Sequence, residues 1–192
     1  MVITKLEKAA DFAARFHAGQ KRKLGGEPRL IHLYETVANA ALATEDEDVL
    51  TAAMLHDVLE ETRATEELLR REFGDNVTNI VLWCSEDKMR ERPANETWQE
   101  RKVAFNERTK IAPREAQIVL LAAKLSNMQS LAAHYHRYGD AVWQSFNNFD
   151  KYAHDWYHRS ALEEALVGLE DEYIYKEYRR LIEEVFGAGF DL

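Results

Sequence analysis

The chain has 192 residues, 46% of them hydrophobic and 31% charged, which suits one buried core and is short for two independent ones. Its 25 basic and 34 acidic side chains leave a formal net charge of −9, which argues against nucleic acid and anionic membranes as partners, because both are held by clustered cations. A single cysteine, Cys84, excludes an intramolecular disulfide, and no apolar run approaches the ~20 residues that span a bilayer.

Helical periodicity dominates in chain order. Thr4 and Glu7 are spaced as a capping box, and Leu6, Ala9, Ala10, Ala13 and Phe16 follow as one apolar face, ending near Gly19. A basic loop with Lys21, Arg22 and Lys23 runs through Gly25-Gly26 to Pro28. A second helix is predicted from Leu30 to Ala43. Thr44 and Glu47 read as the cap of a third that continues unbroken to Glu60. Thr65 opens a helix to Phe73-Gly74, and Asn76 to Cys84 forms another, with Cys84 a buried structural thiol. After a polar loop, Ser85 to Glu96, helices are expected over Trp98–Ile111 and from Pro113 to Tyr138, closed by Gly139. Aromatic-rich helices fill the rest. The expectation is an all-α fold in one domain, residues 1–192, with a core over 4–138 and the aromatic C-terminal helices over 140–186. Met1-Val2-Ile3 opens no secretory leader, so a cytoplasmic location is expected.

The chemistry concentrates in Ala53-Met54-Leu55-His56-Asp57-Val58-Leu59-Glu60-Glu61-Thr62. On a continuous helix Glu60 shares a face with His56 and Asp57, and Glu61 with Asp57. Imidazole and carboxylate together suit a divalent transition metal, and spare carboxylates suit handling of water. A His-Asp dipeptide by itself is more often structural, and its surroundings decide the matter.

Those surroundings are six elements: Ala9 to Ala14 running into His17-Ala18-Gly19-Gln20-Lys21-Arg22-Lys23; Pro28 four residues before His32; Leu55-His56-Asp57 with Glu60-Glu61-Thr62; Phe73-Gly74 with Val77; Glu86-Asp87-Lys88; and Ala123-Lys124-Leu125-Ser126-Asn127. In order and spacing they resemble the HD phosphohydrolases, and more narrowly the hydrolase domain of the RelA/SpoT-homologue family and its small alarmone hydrolases. The resemblance covers roughly residues 6 to 130. It implies a metal, usually Mn²⁺, held by His32, His56 and Asp57, with Glu60 and Glu61 orienting a water and handling its proton. It implies phosphate contacts from Arg22, Lys23 and Lys88, with Arg101 and Lys102 as weaker candidates, and a nucleotide contact from Asn127. The implied reaction is hydrolysis of the 3′-pyrophosphate of ppGpp or pppGpp.

Glu61 stands where that family usually has aspartate, a conservative departure, and the chain departs further in two places. The fourth metal ligand of the family, an aspartate in A-D-K-L-x-N, is Ala123 here, which an inactivating substitution, a natural non-hydrolytic descendant, or replacement of the ligand by water or Glu61 would each explain. The P-x-x-x-H element carries Arg29 in place of an aromatic and Ile31 in place of an amide. Two alternatives therefore stand beside the hydrolase: an inactive HD module that binds a nucleotide or a partner protein, and an HD phosphatase acting on another phosphorylated metabolite. In the last third, His154 and His158 at i, i+4 read as half-exposed structural histidines rather than ligands, and His134 and His136 as structural. Tyr152, Trp156 and Tyr157 read as packing before a base-binding wall, and the aromatic helices offer a homodimer surface.

Overall fold

The computed structural model describes residues 3–188, so the readings at Met1-Val2 and Gly189 fall outside it. The fold is all-α. Helices α1 (Lys5–Phe16), α2 (Arg29–Ala40), α3 (Glu47–Leu55), α4 (Val58–Glu61), α5 (Glu66–Cys84), α6 (Trp98–Lys110) and α7 (Arg114–Tyr138) lead through a 3₁₀ segment (Gly139–Ser145) to α8 (Lys151–Ser160). A π turn (Ala161–Ala165) and α9 (Tyr173–Phe186) complete it. None of the described helices is long and apolar enough to cross a membrane.

Local chemistry sets most boundaries. The capping box at Thr4 forms, with Glu7 N–H donating to Thr4 Oγ1 at 3.1 Å and Thr4 N–H to Glu7 Oε2 at 2.7 Å. Thr65 caps α5 through the N–H of Leu68. Gly74 sits at φ 84°, ψ 174° inside α5, so the two helices expected on either side of it are real and meet at a kink. Pro113 is the N-cap of α7, one position before the first turn in which it was expected.

The third helix differs from its expectation at both ends. Asp46 caps it, accepting from Asp48 N–H at 2.8 Å, while Thr44 accepts from Asp46 N–H in the turn before. It does not run on to Glu60. His56 turns its imidazole back so that Nδ1 donates to the Ala53 carbonyl at 2.8 Å, competing for an oxygen that helix backbone would otherwise use. Asp57 lies at φ −92°, ψ −8°, and one helical turn, α4, restarts behind it.

The centre of the bundle is α7. Every residue from Ile118 to Ser126 is buried, so this helix has no solvent face there, as expected for an element enclosed on all sides. It packs on α2, α3, α5 and α9, with α1 against α3, while α6, α8 and the π turn pack together on another flank. The buried apolar side chains from Ala9 to Val185 join in one cluster. Between α1 and α2 the basic loop folds back on itself, with Arg22 N–H donating to the Glu27 carbonyl at 2.9 Å and Arg29 N–H to the Gln20 carbonyl at 3.0 Å. Gly25 is obligatory in that loop: it stands at φ 83°, and a side chain there would run into Glu27 and His134. The fold-back delivers Arg29 as the first residue of α2.

Leu121 is fully buried in the middle of α7. Leu121→Ala is expected to cost about 2–5 kcal/mol of stability, as core truncations do. Urea unfolding of the two proteins checks this, and a loss well under 1 kcal/mol would remove α7 from the centre of the core.

Candidate metal and hydrolytic site

Three ligand-type side chains converge from two places in the chain. His32 comes from α2, and His56 and Asp57 from the break between α3 and α4; all three are buried, and each offers one ligand atom within 4.8 Å of the others. His32 Nε2 and His56 Nε2 are 3.2 Å apart. His56 Nε2 lies 3.3 Å from Asp57 Oδ1, and His32 Nε2 lies 3.7 Å from Asp57 Oδ2.

The hydrogen bonds around the rings decide what they present to one another. A carbonyl only accepts, so His56 must carry its hydrogen on Nδ1, facing Ala53. Ser126 Oγ donates to Glu35 Oε2 at 2.7 Å, so the 2.8 Å contact between His32 Nδ1 and Ser126 Oγ is donated by the imidazole. Burial, the largest influence on His32, drives its pKa well below the usual imidazole range, and the ring is neutral. With both Nδ1 atoms committed to the surrounding protein, the two Nε2 atoms and a carboxylate face the same small space. Two imidazole nitrogens and a carboxylate at this spacing fit a divalent transition ion.

Asp57 already has a cation beside it. Arg29 Nε donates to Asp57 Oδ2 at 3.0 Å, and Nη2 closes a second, shorter contact with the same oxygen. Burial pushes the Asp57 carboxyl up, but His56, Arg29 and His32 outweigh it and hold the group well below the ordinary carboxylate range. Ala123 lies on α7 one turn before Asn127 and three residues before Ser126, so helical spacing sets it on the face that reaches His32, with a methyl group where the resemblance implies a carboxylate.

Beyond the break, α4 carries Glu60 and Glu61. Lys88 Nζ bridges them, 2.5 Å from Glu60 Oε1 and 3.1 Å from Glu61 Oε1, and Glu86 N–H donates to Glu60 Oε2 at 2.7 Å. Burial first, and then the charge of Asp57, raise the Glu60 pKa despite Lys88. A carboxyl held this way exchanges protons closer to neutral pH than an ordinary one. The interrupted helix thus still brings Glu60 toward Asp57, through a one-turn restart instead of continuous α spacing.

The basic residues divide. Lys88 is joined to the two glutamates, and Lys23, at the surface, reaches Asn147 at 3.1 Å. Burial first, and then the charge of Lys88, pull the Lys23 pKa down, with Glu61 acting in the opposite sense. Arg22 is buried and engaged, with Glu35 at 3.2 Å, Glu27 at 3.5 Å and Asn127 Oδ1 at 3.0 Å, so Arg22 and Asn127 are brought together in a hydrogen bond. Arg101 and Lys102 both pair with Glu86. Lys124 Nζ meets the Tyr157 hydroxyl at 2.6 Å, and Lys102 Nζ lies 4.9 Å from the same ring.

The C-terminal histidines are structural, and more deeply placed than half-exposed. His154 is buried among Trp98, Trp143 and Phe146 with Nε2 on the Asn148 carbonyl, and His158 Nδ1 lies 2.6 Å from the Tyr178 hydroxyl. His134 bonds the Ser130 carbonyl and His136 bonds Glu184. Tyr152, read from the sequence as core packing, is instead 81% exposed. Burial drives the Cys84 thiol up, as expected of an inert sulfur. Sequence reading missed Glu35 and Ser126, whose signals were the spacing of Glu35 one helical turn after His32 and a hydroxyl inside the apolar run of α7.

The family described as HD domain matches residues 9–150. The chain is 34% identical over 130 residues to a Drosophila melanogaster guanosine-3′,5′-bis(diphosphate) 3′-pyrophosphohydrolase, MESH1, covering 66% of this chain and 69% of that one. It is 36% identical over 81 residues, 42% of this chain, to a probable enzyme of the same description from Mycoplasma pneumoniae. The chain spans only 11% to 17% of the length of the longer bacterial relatives it matches. A solved chain described with a metazoan ortholog of SpoT superimposes with a TM-score of 0.75 at 24% identity, over 98% of this chain and 99% of that one, a likeness of fold.

Ser126→Ala leaves the His32 Nδ1–H buried without its acceptor, so a loss of about 1–3 kcal/mol is expected. Chemical denaturation measures it, and an unchanged midpoint would show that Ser126 does not hold the ring.

Proposed function

We propose, on the premise that this chain belongs to the HD domain family, that it is a nucleotide pyrophosphohydrolase of the alarmone type. Its substrate is ppGpp or pppGpp, and removal of the 3′-pyrophosphate gives GDP or GTP and pyrophosphate. The observation that carries this reading is the convergence of two imidazole nitrogens and a carboxylate, with the Glu60 carboxyl under the influence of the Asp57 charge. The activity named for the Drosophila relative supplies the substrate class.

His32, His56 and Asp57 would hold the metal, which we assign as Mn²⁺. Bound there, a divalent ion supplies Lewis acidity to a phosphoryl oxygen and to an attacking water. Glu60 would accept and return the proton of an attacking water, held in place by Lys88, which bridges it to Glu61. Lys23, exposed at the surface, and Lys88 bind phosphate oxygens. Arg22 and Asn127 approach the nucleotide together, exchanging their mutual hydrogen bond for substrate contacts.

Ala123 impairs this chemistry by withholding a charged oxygen from the ligand set. The same residue favours a second reading, an HD module that binds the nucleotide without turning it over. The proposal extends to the whole chain as one HD domain in the cytoplasm, with a core over 4–138 and C-terminal helices over 140–186. The exposed aromatics Phe149, Tyr152 and Trp156 support a homodimer surface there.

Pyrophosphate release from ppGpp with added Mn²⁺, compared between this chain and Ala123→Asp, tests the reading. The Asp variant is expected to turn over at least about tenfold faster, a change of 1.4 kcal/mol in the barrier. Binding without turnover by both proteins would support the second reading. If neither variant binds or hydrolyses ppGpp while both bind metal, the alarmone assignment falls.

A further inference from the structure

Arg29 and Ala123 are two of this chain's departures from the pattern it resembles, and both change the charge around the candidate ligands. Arg29 stands at the first position of α2, three residues before His32, so the helix that supplies a ligand also supplies the competing charge. Two of its donors, Nε and Nη2, converge on Asp57 Oδ2. That is also the oxygen nearer His32, while Oδ1 faces His56. Arg29 and Asp57 are both largely removed from solvent, so their attraction is weakly screened.

Asp57 contributes a carboxylate and Arg29 the guanidinium paired with it, and the position on α7 contributes no charge because it is Ala123. A divalent ion entering this space meets one free carboxylate oxygen instead of two and a fixed positive charge beside it, with no acid from the α7 position to offset that charge. An arginine cannot shed its proton to make way.

We infer that Arg29 acts as an internal cation that competes with divalent metal for Asp57, so that metal loads only when the Arg29 fork releases Oδ2. The inference rests on the reading of His32, His56 and Asp57 as the metal ligands, and it holds whatever the substrate is. Arg29 thereby sets metal affinity, and the lost acid at position 123 is what allows the arginine to balance the site alone.

The test needs no nucleotide and no turnover. Mn²⁺ binding to the full chain is measured by calorimetry for the unchanged protein, Arg29→Gln and His56→Ala, with far-UV circular dichroism as the check on folding. Arg29→Gln is expected to bind Mn²⁺ at least about tenfold more tightly, and His56→Ala to lose that binding. Equal or weaker binding by a folded Arg29→Gln overturns the inference. The unchanged protein gives a second readout that does not depend on any variant folding. The Arg29 Nε–H resonance is followed by ¹⁵N NMR during titration with diamagnetic Zn²⁺. It is expected to shift and exchange faster as the fork lets go, and metal binding that leaves it unmoved sinks the competition. Failure of ppGpp hydrolysis with tighter binding by Arg29→Gln would remove the alarmone reading and keep this one.

Discussion

A carboxylate taken out of water needs a cation, and the burial of Asp57 is the constraint around which this molecule is arranged. Its charge is held between two imidazoles and a guanidinium, all brought to it by helices that are themselves locked in a continuous core. Removing the counter-ion would leave a charge that the interior cannot solvate. The elements that surround it therefore have to arrive in register: α2 with Arg29 and His32, the α3–α4 break with His56 and Asp57, and α7 behind them with Ser126.

The break is the local device that makes the rest possible. A straight helix from Glu47 to Glu60 would present His56, Asp57 and Glu60 by spacing alone. Instead the imidazole bonds a carbonyl of its own helix, which orients Nε2 inward and ends the helix in the same act. The restart then carries Glu60 to a separate, buried position where Lys88 and the Glu86 amide hold it. Ligation and proton handling are thus assigned to different turns of backbone and tuned by different neighbours.

Much of this was legible in the residues. Capping boxes, prolines and glycines act within one helical turn, and so Thr4, Thr65, Gly74 and Gly139 marked boundaries that the structure keeps. The ligand residues were legible because imidazole and carboxylate stand out in an apolar run. What spacing could not reveal was competition: nothing in the string His56-Asp57 says that the ring will claim the Ala53 carbonyl, since that depends on a rotamer. Nor could it reveal that Arg29 would turn to Asp57, 28 residues away, or that Arg22 would be spent on Glu35 and Asn127. Such pairings are settled by tertiary packing. The histidines of α8 were read as half-exposed beside aromatic packing, whereas α6, α9 and the 3₁₀ segment close over them.

The shared oxygen of Glu35 has a consequence of its own. Arg22 Nη1 and Ser126 Oγ both donate to Glu35 Oε2, at 3.2 Å and 2.7 Å. That atom is the junction of two lines, one leading out to the basic loop and the other in to the Nδ1 of His32. A strong acceptor that drew Arg22 outward would leave Oε2 more electron-rich, tighten its hold on the Ser126 proton, and make the serine oxygen a better acceptor for the imidazole hydrogen. The ring would then carry more negative charge at Nε2. Occupancy at the rim and donor strength at the centre are in this way two ends of one polarisable wire, four side chains long.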